Sequence, residues 1–136
     1  MKSSDLFTRP AANDGRRVNI PGPNGEDIGE WLHVHHVDCD AFRQKRADVF
    51  AIAATIGKDA TDDERKRTHA DALLELTAST VSGWSLEDEF SQSAMVNLLR
   101  NAPYLADWLD RKASDSAVFF GKGSTGSLSI AEPKQD

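Results

Sequence analysis

Residues 21–25, Pro-Gly-Pro-Asn-Gly, limit the fold of this chain more than any other stretch. Two prolines and two glycines within five residues prevent a helix and favour a tight reversal of the chain. Residues 17–20 come before the reversal and residues 30–37 follow it. We therefore predict that these two segments are the arms of a short β-hairpin.

The second arm has the alternation that is typical of a half-buried strand. Leu32 and Val34 fall on one face of a strand, and Trp31, His33 and His35 fall on the other. The face that carries Leu32 and Val34 is expected to point into the core.

A first long helix is predicted after the hairpin. Asp38 and Asp40 are suited to its start near Ala41, because a carboxylate can accept the free backbone N–H groups of a first turn. Gly57 is a natural stop. The apolar residues at helical spacing between these points are Phe42, Val49, Ile52, Ala53 and Ile56.

A second helix is predicted from a capping box. Thr61 and Glu64 have the spacing at which each side chain satisfies the other residue's backbone N–H. The helix is expected to end at Gly83, near Trp84. Its apolar stripe is Ala70, Leu73, Leu74, Thr77, Thr80 and Val81.

Two more helices complete the expected set. Ser91 is a suitable cap for the third, after a connecting segment anchored by aromatic residues. Pro103 fits the first position of the fourth, where its missing N–H costs little. This last helix is expected to extend to Ala113 or Phe119.

The resulting fold class is α+β and mainly α-helical, with an N-terminal β-hairpin followed by about four packed helices. Residues 1–16 are expected to form a flexible arm, residues 17–120 the folded domain, and residues 121–136 a disordered tail rich in Gly, Ser and Thr. A chain of 136 residues has room for one such domain.

Charge and composition exclude several kinds of partner. The formal net charge is -6, with 16 Lys plus Arg against 22 Asp plus Glu, which argues against a nucleic-acid partner. No apolar run approaches the roughly 20 residues that span a bilayer, so no membrane partner is expected. The one cysteine, Cys39, leaves no disulfide to form within the chain.

The stretch from His33 to Asp40 contains every common zinc ligand type. His33 and His35 would project from one face of a strand, and His36, Asp38 or His69 could add a third ligand. Because no recognised ligand spacing is present, a metal site is the minority alternative. Helix capping explains the aspartates without metal, so we expect no metal and no cofactor.

No other segment predicts catalysis. Cys39 lies beside Asp38 and Asp40, whose charges disfavour a thiolate. Residues 121–126 lack the order of residues that a phosphate-binding loop requires. We therefore predict that the chain is not an enzyme.

The positive signal is aromatic. Large amphipathic side chains dominate protein interfaces, although each of them can also be a core residue. The set that we predict to contact a partner is Trp31, Trp84, Phe90, Tyr104, Trp108, Phe119 and Phe120.

Two groups of residues carry a resemblance to a known family. The first is Glu30-Trp31-Leu32-His33-Val34 with the Val-Asp-Cys-Asp-Ala-Phe-Arg string of residues 37–43. The second is the Val-Ser-Gly-Trp-Ser-Leu string of residues 81–86, followed by the aromatic and aliphatic order Phe90, Ala94, Leu98, Leu99, Asn101, Ala102, Pro103, Leu105, Ala106, Asp107, Phe119 and Phe120.

These motifs resemble the tail assembly chaperones of long-tailed bacteriophages, over about residues 17 to 120. The order helix, Gly-Trp, aromatic anchor, short helix, Ala-Pro and last helix is a diffuse pattern and not a catalytic signature. Cys39 stands where a serine would be commoner, and the histidines at 33 to 36 stand where a basic residue and glycine are more typical.

The resemblance implies a non-catalytic assembly factor. Such a protein works in the host cell cytoplasm, binds the tape measure protein, keeps it soluble, helps recruit tail tube protein and is absent from the mature virion. The resemblance also implies a longer frameshifted form, for which the codons of residues 121–123 could provide a slippery string.

Two alternatives come from other classes of protein. A structural tail component, either a tail completion or a connector protein, would stay in the virion. A metalloenzyme would use the histidine cluster. Self-association through edge strands or exposed aromatic surface is a further expectation.

Overall fold

The computed structural model describes residues 1–57, 59–121, 123–124 and 127–128. After a short 3-10 helix, Ser3–Leu6, the described elements are α1 (Arg9–Asp14), β1 (Arg16–Pro21), β2 (Asp27–Val34), α2 (Asp40–Thr55), α3 (Asp62–Ala78), β3 (Val81–Trp84), α4 (Gln92–Asn101), α5 (Pro103–Ala113), α6 (Ser116–Phe120), β4 (Gly123–Ser124) and β5 (Ser127–Leu128). The chain is thus mainly helical with a small antiparallel sheet, as expected.

The predicted hairpin is confirmed. β1 and β2 pair in antiparallel fashion with Val18 opposite Leu32, and the register shifts between Asn19 and Pro21, next to the turn. Leu32 and Val34 are fully buried. The inward face of β2 is therefore the one that the alternation indicates.

The prediction that the second helix runs to Gly83 was wrong. α3 ends at Ala78, and β3 pairs with β2 with Gly83 opposite His33. The carbonyl of Thr80 accepts a 2.7 Å hydrogen bond from the backbone N–H of His35. β-Branched residues at 80 and 81 favour this extended pairing over another helical turn.

The cap of α2 is Cys39, and neither neighbouring aspartate fills that position. The Cys39 sulfur accepts a hydrogen bond from the N–H of Phe42 at 3.4 Å. Asp40 is the first helical residue and its carboxylate is engaged elsewhere, by Arg9. The helix start was therefore predicted to within one residue, but its capping group was not.

The other caps agree with the sequence. Thr61 and Glu64 form the reciprocal capping box at the start of α3. Ser91 accepts the N–H of Ala94 at the start of α4, and Pro103 begins α5. Of the two ends predicted for the last helix, Ala113 is confirmed, and residues Ser116–Phe120 form a separate helix, α6.

The core lies between the inner face of the sheet and helices α4, α5 and α6. Its buried residues are Ile20, Leu32, Val34, Ala78, Val81, Met95, Leu99, Leu105, Leu109, Ala113 and Phe119. α2 contributes no buried residue, and α3 contributes only Ala78. The α2–α3 hairpin therefore packs on the core mainly through the end of α3.

The N-terminal segment, residues 1–16, which was predicted to be a flexible arm, contains α1 and contacts the rest of the chain. Ala12 is fully buried, and Arg9 forms a two-bond contact with Asp40 at 2.7 and 2.8 Å. Two histidines of the second hairpin arm form hydrogen bonds to carbonyl groups near the end of α1. The His33 ring contacts the carbonyl of Asp14, and the His35 ring contacts the carbonyl of Ala12. Contacts from distant parts of the chain thus order α1.

Part of the predicted tail lies outside the described residues, namely residues 122, 125–126 and 129–136. Within it, β4 pairs with β5 in antiparallel fashion. The expected disorder of this tail stays a prediction. In the described ranges, no helix has both the length and the apolar character that crossing a membrane requires.

Candidate functional site

Near its C-terminal end, α2 is apolar on every side. Residues 49–54 read Val-Phe-Ala-Ile-Ala-Ala, and Ile56 follows. A helix that is apolar all round is normally buried, yet the Phe50 side chain is 64% exposed and that of Ile52 57% exposed. This part of the helix has the composition of a surface that another polypeptide covers.

An open groove of about 730 Å³ runs between α2 and α3. We call it the α2–α3 groove, and its walls are Val49, Phe50, Ile52, Ala53, Ile56, Arg65, Thr68, His69, Asp71, Ala72, Leu73, Glu75 and Leu76. Leu73 on its α3 side is 51% exposed. Aliphatic and aromatic side chains thus stand open to solvent on both sides of the groove.

Two ion pairs hold α3 beside the groove. Lys45 of α2 contacts Glu75 at 2.8 Å, and Arg100 of α4 contacts Asp71 at 3.2 Å. Both pairs are partly exposed, so they contribute little to stability. They connect α3 to its two neighbours and neutralise charges at the rim.

A smaller cavity of about 630 Å³ adjoins the groove on the outer side of α2. Its lining is Asp40, Arg43, Gln44, Arg46, Ala47 and Phe50, so Phe50 belongs to both sites. The hydrogen bonds from Arg9 lower the pKa of the Asp40 carboxyl. The same contact raises the pKa of the Arg9 guanidinium. This carboxylate is therefore ionised and already occupied.

Three of the seven predicted contact residues lie on or beside the sheet. The Arg17 guanidinium stacks 4.1 Å from the ring centre of Trp31. Trp84 packs edge-on against Phe90 at 5.2 Å and donates its indole N–H to the carbonyl of Asp88. Trp84 and Phe90 thereby anchor the loop between β3 and α4.

The other four lie on α5 and α6. Tyr104 is 37% exposed, and its hydroxyl donates a 3.0 Å hydrogen bond to the carbonyl of Pro21. Trp108 and Phe120 are partly buried against the core, and Phe119 is buried within it. The structure does not gather the seven aromatic residues on one surface, and their role in partner binding stays a prediction.

The three candidate metal ligands do not converge. The Nε2 atom of His33 donates to Asp14, and Nδ1 of His35 donates to Ala12, because a carbonyl can only accept. His36 lies among Phe119 and Phe120 instead. Over the described ranges, no group of three or more His, Cys, Asp or Glu side chains is arranged to hold a metal ion.

Cys39 is a structural residue. Its side chain is buried and its sulfur caps α2. Burial raises the pKa of the thiol, which works against the thiolate that nucleophilic chemistry requires. The arrangement therefore gives Cys39 no chemical role.

The α2–α3 groove was not predicted from the sequence. Helical spacing places Val49, Ile52 and Leu73 on apolar stripes, but it does not tell whether another helix or a partner covers those stripes. The available signal was the unbroken apolar run of residues 49–54, which gives this part of α2 no polar face to turn toward solvent.

The fold and the groove define a small helix-rich protein with an apolar groove that is open to solvent. The chain belongs to the phage tail assembly chaperone family, since the model of that family matches residues 7–109. The resemblance drawn from the sequence is thereby confirmed, and the family's role is non-catalytic. No curated protein and no solved structure matches the chain.

Proposed function

We propose that this chain binds the tape measure protein of its phage, keeps it soluble and helps recruit tail tube protein. It does so in the host cell cytoplasm and leaves before the virion is complete. Membership of the chaperone family supports the assembly role. The single observation that supports binding to a long helical client is the open apolar α2–α3 groove.

The groove suits a helix as its occupant. Amphipathic helices bind by laying an apolar face into an apolar groove, with anchors at positions i, i+3, i+4 and i+7. Phe50 and Ile52 on one wall and Leu73 on the other offer apolar area to such a face. Covering them removes that area from water, at about 25 cal/mol per Å².

The predicted aromatic residues fit this proposal as supports. Trp84 with Phe90 fixes the entry to α4, and Tyr104 ties α5 to the hairpin turn. α4 in turn holds α3 through Arg100 and Asp71. Recruitment of tail tube protein by the C-terminal tail is a further part of the proposal, and most of that tail lies outside the described residues.

Co-expression with the tape measure protein tests the binding role. The double variant Phe50→Ser, Leu73→Ser is expected to leave most of the tape measure protein insoluble, whereas the wild-type chain keeps it in solution. The matched control is Phe7→Ser, Ile28→Ser, which removes two exposed apolar side chains away from the groove. Equal solubility with and without the wild-type chain would rule out the chaperone role.

Mass spectrometry of purified virions tests the departure of the chain. A chaperone is expected to be missing from the particles. Stoichiometric retention would favour the alternative, a structural tail completion or connector protein. Sedimentation analysis of the free chain separately measures the expected self-association, for which a monomer at all concentrations would be the contrary result.

A further inference from the structure

We propose that the binding site continues from the α2–α3 groove across Phe50 to Arg43 and Arg46, so that it selects a helix with carboxylates beside its apolar anchors. This inference rests on the proposed function and adds the chemistry by which a client is chosen. The occupant is an amphipathic, acidic helical segment of a partner polypeptide. The apolar surface attracts the apolar face of the helix, and the two arginines favour helices that carry carboxylates.

The continuity of the site follows from helical geometry. Residues three or four apart on a helix are neighbours on its surface. Arg43, Arg46, Ala47 and Phe50 therefore form one strip along the outer side of α2, and all of them line the same cavity. Because Phe50 also forms a wall of the α2–α3 groove, a segment that covers Phe50 reaches both.

The two arginines are available for a partner. The Asp40 carboxylate next to them already accepts two hydrogen bonds from Arg9 and one from Asn13. Arg43 lowers the pKa of the Asp40 carboxyl through its charge. Within the described ranges, the side chains of Arg43 and Arg46 form neither a hydrogen bond nor an ion pair of their own. Both are exposed.

The two acidic residues that line the groove are already paired. Lys45 is held by Glu75, and Asp71 is held by Arg100. These pairs leave little net charge at that part of the rim. The strip at Arg43 and Arg46 is consequently a local excess of positive charge on a chain whose formal net charge is -6.

This charge arrangement favours an acidic client. A chain of net negative charge repels acidic segments in general, and a local positive strip reverses that repulsion where the apolar contact forms. Charge complementarity of this kind sets specificity and association rate more than it sets affinity. Arginine also binds a carboxylate through two parallel hydrogen bonds.

Three synthetic peptides test the proposal. Each is a helix of about 25 residues, long enough to be ordered alone, with the same leucine stripe. The positions that flank the stripe carry Glu in the first peptide, Gln in the second and Lys in the third. Dissociation constants are measured by fluorescence anisotropy at low and at physiological ionic strength.

We expect the Glu peptide to bind the wild-type chain about tenfold more tightly than the Lys peptide. The Glu peptide forms partly exposed ion pairs with Arg43 and Arg46, whereas the Lys peptide is repelled by them. The preference should shrink as salt is added. The variant Arg43→Glu, Arg46→Glu should reverse the order. The matched control Arg67→Glu, Arg111→Glu changes the net charge equally on exposed positions outside both cavities and should keep the order.

Failure of this inference differs from failure of the proposed function. Equal binding of all three peptides, lost in Phe50→Ser, Leu73→Ser, would overturn the acidic preference and leave the apolar groove in place. An order that the control variant also reverses would overturn it as well. Absence of any binding that depends on the groove would overturn both proposals.

Discussion

The backbone N–H of Asp38 donates a 3.0 Å hydrogen bond to Nδ1 of His36. The ring proton must then be on Nε2, which faces the hydroxyl of Ser116 at 3.3 Å. The ring also packs edge-on against Phe119 and Phe120, with centroids 5.5 and 4.7 Å away. A neutral imidazole thus joins the end of the sheet to α6.

This arrangement predicts that the protein loses stability in mild acid. Burial lowers the pKa of His36, although Asp38 and Asp115 oppose the shift, and burial also lowers the pKa of His35. Below the unfolded value of about 6.5 the unfolded chain takes up protons first, so the free energy of unfolding decreases as pH falls until the folded values are reached.

Chemical denaturation at a series of pH values measures this effect. The variant His36→Asn keeps an acceptor for the Asp38 N–H but cannot be protonated in this range, so its stability should fall less steeply than that of the wild-type chain. Its stability at about pH 8, where histidines are neutral, gives the structural cost of the change alone. Parallel curves for the two proteins would contradict the prediction.

Among the described glycines with a positive φ angle, Gly15 is predicted to tolerate substitution least. Its φ is +70°, and a Cβ there would lie 2.6 Å from the carbonyl oxygen of Val34. Gly25 has a φ of +81° but open space around the same position. Gly15→Ala therefore carries both backbone strain and a clash, and Gly25→Ala carries strain of about 1 kcal/mol alone.

Thermal denaturation of the two alanine variants compares these costs directly. We expect Gly15→Ala to lower the melting temperature clearly more than Gly25→Ala. Equal shifts would mean that α1 can move away from β2 without loss, which would contradict the docking of α1 described above.

The cap of α4 supports a further prediction. Ser91 accepts the N–H of Ala94 at 3.0 Å, and α4 carries the buried residues Met95 and Leu99. Ser91→Ala should reduce the free energy of unfolding by about 1 kcal/mol. The control Ser93→Ala changes an exposed serine in the first turn of the same helix and should stay within about 0.5 kcal/mol of the wild type.

Features set by neighbouring residues were predictable from the sequence. The reversal at residues 21–25, the capping box of Thr61, the cap at Ser91 and the helix start at Pro103 each depend on a few adjacent positions. Their backbone groups find partners within one turn, so the local pattern is sufficient.

Features set by long-range contacts were not predictable in this way. β3 exists because Trp84 and its neighbours pair with β2, and α1 is ordered by His33, His35 and Asp40. The α2–α3 groove depends on how far apart the two helices lie. Periodicity tells which residues share a face, but it cannot tell whether that face is closed by packing or left open.

Leu109 belongs to the core, whereas Leu73 belongs to the proposed binding surface. Leu109 is fully buried, and Leu73 is 51% exposed on the groove wall. Leu109→Ala should cost about 2–5 kcal/mol, because it leaves a cavity in close-packed surroundings. Leu73→Ala removes part of an exposed side chain and should cost less than about 1 kcal/mol.

Each variant should therefore affect a different property: Leu109→Ala lowers stability, and Leu73→Ala weakens client binding. Urea denaturation is expected to rank Leu109→Ala far below Leu73→Ala, and the folded fraction of each variant is then assayed with the Glu peptide. Leu73→Ala should weaken binding several-fold, since truncation removes apolar area from the groove wall. Folded Leu109→Ala should bind as the wild type does, because Leu109 lies outside the groove lining. Unchanged affinity in Leu73→Ala would remove α3 from the binding surface.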